Sequence, residues 1–202
     1  MPIKNKPIIA ISMGDPSGIG PEIICKSLSE IIFEYDFHPL ILGNFDALEH
    51  IDNIIKSHLK FLKIDSLSRI SDLNSDIIPV MDDSNLDFSK ISPGVVSATA
   101  GHASMKWVLH SGRLADNEEV DAVVSCPINK ESCGLAGSGA IGHMELFQEQ
   151  TKSKNVATML MTPGLRVVHL STHKSLKEAC NYVTFKNVYT KIELIHTDFK
   201  KL

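Results

Sequence analysis

The chain has 202 residues, 43% hydrophobic and 22% charged, with a formal net charge of −4. That composition supports a buried core in one large α/β domain or one and a half. It carries no basic stripe that would suit nucleic acid or an anionic membrane, and no run near the ~20 apolar residues of a membrane span. The N-terminal apolar run stops at Gly14 and Asp15, too short for a signal sequence, so a cytoplasmic protein is expected.

"PIIAISM" (7–13) is a branched apolar run that predicts a buried strand. A turn follows, and Pro21 suits the first position of a helix in which Ile23, Ile24, Leu28, Ile31 and Ile32 recur at helical spacing. "PLILGN" (39–44) predicts a second strand and "FDALEHIDNIIKSHL" (45–59) a helix. The polar stretch "SLSRISDLNSD" predicts loop, and "IIPVMDD" (77–83) another strand. Residues 92–116 predict a long helix rich in Ala, Ser and Gly, suited to close packing, and "VDAVVSCP" (120–127) a strand ending at Pro127. "ELFQEQT" (145–151) predicts a helix. "VATMLMT" (156–162) and "LRVVHLST" (165–172) predict two strands joined through Pro163 and Gly164 as a hairpin. The remaining stretches, "SLKEACNYV" and "TFKNVYTKIELIHTDFKKL", predict helices. Alternating strands and helices mean a three-layer α/β/α fold with a mostly parallel sheet, and the hairpin adds antiparallel pairing. Cys25, Cys126, Cys133 and Cys180 form no CxxC pair and read as reduced, small, buried side chains.

Ligands of open α/β sheets sit at the carboxyl ends of strands, and four loops there carry unusual residues. "GDPSGIGPE" places Gly14, Gly18 and Gly20 where a strand turns into a helix. It matches neither GxxxxGK[ST] nor GxGxxG. The residues suit equally a backbone that approaches an anion and a tight turn capped by Asp15. "SCPINKE" (125–131) sets Lys130 just past a strand, where an ammonium could hold a phosphate or donate a proton, or could simply be solvated in a helix's first turn. "GHMELF" (142–147) and "STHKSL" (171–176) each place a histidine, His143 and His173, before a helix that Ser171 or Thr172 could cap in the second case. His169, inside a predicted strand, reads as packing.

Taken in order, "IAISMGDPSGIGPEII", "VVSCPINKE", "GHMELF" and "LRVVHLSTHKSL" resemble the 4-hydroxythreonine-4-phosphate dehydrogenase family of vitamin B6 biosynthesis. The opening loop is also similar to the "GDGIGPE" of isocitrate and isopropylmalate dehydrogenases. The resemblance implies an isocitrate/isopropylmalate dehydrogenase-like fold and a homodimer. It implies NAD- or NADP-dependent oxidation of a phosphorylated four-carbon acid, 4-hydroxythreonine 4-phosphate, to a β-keto acid that decarboxylates. It also implies a divalent metal (zinc, magnesium or cobalt) held by three histidines.

Carried over by motif, His173 matches a metal ligand and His143 a substrate ligand. Met144 stands where the family has a substrate-binding threonine, and a thioether cannot donate a hydrogen bond. Lys130 is the candidate catalytic residue, and no cofactor-binding residue is assigned. The family's other two metal histidines fall in motifs that would follow Leu202, so little turnover is expected of these 202 residues alone. The resemblance divides the chain into a first α/β domain, 1–115, and a second, 116–202, whose hairpin lies at the dimer interface. "PINKE" and "VVHLSTH" lean toward a related specificity, D-threonate or D-erythronate 4-phosphate. A reading of a different class is an inert fragment or binding subunit.

Overall fold

A computed structural model describes residues 6–68, 70–74, 76–139 and 142–200. The chain divides into two compact units, Met1–Thr151 and Lys152–Leu202.

In the first unit, β1 (Ile8–Ser12) is followed by α1 (Gly20–Ile31), β2 (His38–Leu42), α2 (Phe45–Ile55), β3 (Lys60–Lys63), β4 (Ile77–Met81), α3 (Ala98–Asp116), β5 (Ala122–Ser125), α4 (Lys130–Leu135) and α5 (His143–Thr151). The five strands form one parallel sheet in the order β3-β4-β2-β1-β5. The chain moves from β1 to β2 in one direction and later crosses back to place β5 on the other side of β1. Right-handed crossovers in opposite directions put α1 and α3 on opposite faces of the sheet. The point where the strand order reverses is therefore the gap between β1 and β5, where open α/β sheets hold their ligands.

The core explains the elements. Ala10, Leu40, Ile41, Leu42, Ile78 and Val80 from the strands are buried against Ile24, Cys25 and Leu28 of α1, Leu48 of α2, and Trp107 of α3. The Trp107 indole donates to Asp82 Oδ1 at 3.2 Å, so the largest core side chain also satisfies its polar atom. Asn44 caps α2 by accepting from the Ala47 N–H at 2.9 Å and donates to Asp82 Oδ2 at 2.8 Å.

Several boundaries differ from the sequence reading. β3, "KFLK", was not expected; it is an edge strand whose flanking lysines hide the apolar alternation and suit an unpaired edge. Residues 92–97 are not helical, because Ser97 takes an extended conformation as N-cap of α3 and accepts from the Ala100 N–H at 3.2 Å. The helix expected over 45–59 stops at Ile55, where Lys56 turns left-handed at φ 56°. A short helical turn, Ile70–Asp72, interrupts the expected loop.

The second unit contains β6 (Met159–Thr162) and β7 (Leu165–Val168), an antiparallel hairpin, followed by α6 (Leu176–Tyr182) and α7 (Phe185–Asp198). Gly164 takes φ 79° in the turn, as the Pro–Gly signal implied. The second strand ends at Val168, four residues before the expected limit, although the His169 N–H still donates to the Thr158 carbonyl at 3.2 Å. α6 is capped by Ser175 in a capping box with Glu178, not by Ser171 or Thr172. Cys25, Cys126 and Cys133 are buried free thiols, whereas Cys180 is exposed, against expectation.

Candidate functional site

The parallel register of β1 and β5, with Ser12 opposite Ser125, brings the opening loop onto the segment after β5. The ladder continues past the strands: the Cys126 N–H donates to the Ser12 carbonyl at 2.9 Å, and the Asp15 N–H to the Pro127 carbonyl at 2.9 Å. Gly14 sits at φ 73°, and a Cβ there would lie 2.3 Å from the Pro127 oxygen and 2.8 Å from the Cys126 oxygen. Gly14 is thus required twice, by its backbone conformation and by the close approach. Gly20 is equally confined, since a Cβ would fall 2.0 Å from the Met13 oxygen and 3.4 Å from the Cys126 Cβ. Asp15 is 5% exposed, and its Oδ1 accepts the Ser17 N–H at 2.8 Å. It closes a turn inside the loop and does not cap α1, whose N-cap is Ile19 with no side-chain bond. Pro21 lies in the first turn of α1 as expected.

On the other side of the contact, Asn129 caps α4 by accepting the Ser132 N–H at 2.9 Å, so Lys130 is the first residue of that helix and is exposed. α4 is held against α3 at Gly101, where a Cβ would lie 2.0 Å from the Ser132 oxygen.

His143 opens α5 and is half-buried. Burial lowers its pKa from the ordinary 6.5, and a backbone hydrogen bond with Cys126 works in the opposite sense with smaller effect. The imidazole is therefore biased to its neutral form. Its Nε2 is buried with no hydrogen-bond partner among the described residues, which suits a ligand atom. The buried Ser17 Oγ likewise lacks a partner there. Burial pushes the Cys126 thiol up to about 11, which makes it a packing group rather than a nucleophile at neutral pH.

One place in the first unit thus gathers the opening loop, the Cys126–Pro127 segment and His143, with Lys130 three residues beyond Pro127. Met144 follows His143 in α5 and is half-buried. His173 belongs to the second unit, exposed, with a left-handed backbone at φ 56°, an uncommon conformation for a residue with a side chain. Among the described residues no group of three or more His, Cys, Asp or Glu side chains is placed to hold a metal ion. One exposed imidazole is not a metal centre, so these residues by themselves do not fit a three-histidine site.

Sequence reasoning missed Gly14 and Gly20 as steric partners of Cys126. The signal was present in their spacing but not in what they would meet.

A parallel sheet with a glycine-turned loop and an imidazole whose buried Nε2 lacks a partner among the described residues, gathered at the carboxyl ends of β1 and β5, is the layout of a ligand-binding α/β protein. Residues 36–202 match the family described as pyridoxal phosphate biosynthetic protein PdxA, and the chain belongs to that family. Its relatives are dehydrogenases. A provisionally named D-threonate 4-phosphate dehydrogenase of Halalkalibacterium halodurans is 34% identical over 187 residues, covering 93% of this chain and 56% of its own length. A protein of the same provisional name from Clostridium botulinum is 35% identical, with 92% and 55% covered. The 4-hydroxythreonine-4-phosphate dehydrogenase structure from Klebsiella pneumoniae superposes with TM-score 0.85 at 30% identity, covering 96% of this chain and 59% of that one. The corresponding enzyme from Burkholderia phymatum gives TM-score 0.83 at 29% identity, with 94% and 57% covered. The chain therefore spans little more than half the length of the curated relatives it matches.

Proposed function

We propose that this chain forms part of a nicotinamide-dependent dehydrogenase that oxidises a secondary hydroxyl of a four-carbon acid phosphorylated at its far end. The observation that carries the reading is His143, a neutral imidazole with a buried, unpartnered Nε2 beside the switch point of the sheet, in the motif that the resemblance assigns to substrate. In this reading His143 Nε2 hydrogen-bonds the substrate and orients its hydroxyl. Lys130, an exposed ammonium in the first turn of α4, holds the substrate's negative charge or returns a proton. The nicotinamide, NAD or NADP, accepts the hydride when bound.

His173 would contribute one ligand to a divalent metal, with the other ligands supplied from outside the described residues. The division at 115/116, a homodimer formed through the β6–β7 hairpin and a cytoplasmic location complete the reading. No helix among the described residues is long and apolar enough to cross a membrane.

Two substrates of this class differ at the second carbon, an amine in 4-hydroxythreonine 4-phosphate and a hydroxyl in D-threonate 4-phosphate. The names of the curated relatives favour the second.

Calorimetric titration of the chain with each acid tests the proposal. D-threonate 4-phosphate should bind, and His143→Ala should weaken it about tenfold or more, the cost of one buried hydrogen bond to a charged ligand. His173→Ala should leave that affinity unchanged. Binding of neither acid, or equal binding by His143→Ala, would remove His143 from the site.

A further inference from the structure

The opening loop has no assigned role, and its geometry gives it one. The carbonyl group of Cys126 meets the bare Cα of Gly14, where a Cβ would approach its oxygen to 2.8 Å and its carbon to 2.9 Å, and the Cys126 backbone is also hydrogen-bonded to the imidazole of His143. The neighbouring Pro127 carbonyl is fixed by the Asp15 N–H at 2.9 Å. Asp15 in turn is held by its own turn to Ser17, and the Ser17 carbonyl accepts the Gly94 N–H at 2.7 Å. Every polar backbone group of this clamp that is named here is spent on protein, which leaves the loop poorly suited to cradle an anion with those groups.

We propose that the Gly14–Gly20 loop is a positioning element for substrate recognition: Gly14 and Asp15 fix the Cys126–Pro127 carbonyls, and the Cys126 carbonyl fixes the orientation of the His143 ring. A carbonyl acceptor on one side of an imidazole selects which face and which nitrogen the ring offers to a ligand on the other. Gly14 and Asp15 are positioning residues that touch no substrate. Any residue larger than glycine at position 14 must push the Cys126 carbonyl away, because the obstructing atoms are backbone. The inference rests on His143 being the substrate ligand, but its test does not require substrate.

The test follows the His143 ring resonances by NMR through a pH titration of the 202-residue chain. Gly14→Ala should displace the His143 signals and lower their titration midpoint by about half a pH unit or more, since the carbonyl that favours the charged ring is moved while burial remains. Gly164→Ala imposes the same left-handed strain in the hairpin turn, at φ 79° with open space around it, and should leave His143 unchanged. If Gly14→Ala does not fold, Asp15→Ala and Asp15→Asn decide. Both remove the charge, but only Asn keeps an acceptor for the Ser17 N–H, so Asn should retain the native His143 ring signals and Ala should lose them. His143 signals indistinguishable from native in folded Gly14→Ala, or identical in the two Asp15 variants, would overturn the positioning role. Either result would leave the substrate-binding reading to stand or fall on its own titration.

Discussion

His143 couples the site to the stability of the fold. Burial depresses its pKa below 6.5, and burial followed by the nearby Lys6 charge does the same for His38. Below 6.5 the unfolded chain takes up protons that the folded chain resists. Stability is therefore fully present above about pH 6.5 and is lost as pH falls through the folded pKa values. The melting temperature should drop on acidification from pH 7 toward pH 5, and His143→Gln should flatten part of that slope. A slope identical in the variant would mean that the imidazole is solvated, contrary to its buried Nε2. The same burial explains why Cys126, though it sits in the loop beside Lys130, should resist thiol reagents at neutral pH.

The elements around the site depend on small residues at helix contacts. α3 carries Gly101 against the Ser132 carbonyl of α4, and Ser104 and Cys133 meet at 3.8 Å across the same contact. The alanine- and serine-rich character of α3 exists for this approach. Gly101→Ala places a methyl group 2.0 Å from a backbone oxygen that cannot swing aside. It should destabilise the first unit by about 1–3 kcal/mol despite the better helix propensity of alanine. Chemical denaturation measures this, and a neutral or stabilising result would show that α4 is free to move away from α3. Because α4 begins at Lys130, such a shift should also loosen substrate binding in the same variant.

For the whole molecule, the two units differ in how they hold together. The first has a continuous buried core from β1 to α3. In the second, none of the described residues is fully buried, and Leu160, Met161, Leu165, Val183, Phe185 and Ile192 are all exposed. Exposure of so many large apolar side chains in one unit points to a surface that associates. The chain should self-associate with rising concentration in light scattering, and Met161→Lys with Leu165→Lys in the hairpin should reduce that association. A strictly monomeric chain across micromolar to millimolar concentration would contradict it. β5 is also an edge of the sheet, with Val124 51% exposed.

The sequence by itself determined the local elements wherever one physical signal dominated. Apolar runs at Ile8–Ser12, His38–Leu42 and Ile77–Met81 could only be buried strands, Pro–Gly could only turn the hairpin, and the spacing of Ile24 and Leu28 placed α1. It also set Lys130 just past a strand and His143 just before a helix, although that helix begins at His143 itself, two residues earlier than expected. Motif resemblance, rather than periodicity, supplied the family. Edges and caps were less legible: β3 was hidden by its lysines, and Ser175 was overlooked because three candidate cap residues crowd the segment 171–175. What Gly14 is for was decided only by tertiary structure. Its neighbours are carbonyl oxygens of residues more than a hundred positions away, brought there by the register of β1 on β5, and no local pattern encodes that distance. Tertiary packing likewise brings Cys126 to His143, so the lowered pKa of the imidazole is a property of the fold and not of the "GHMELF" motif that carries it.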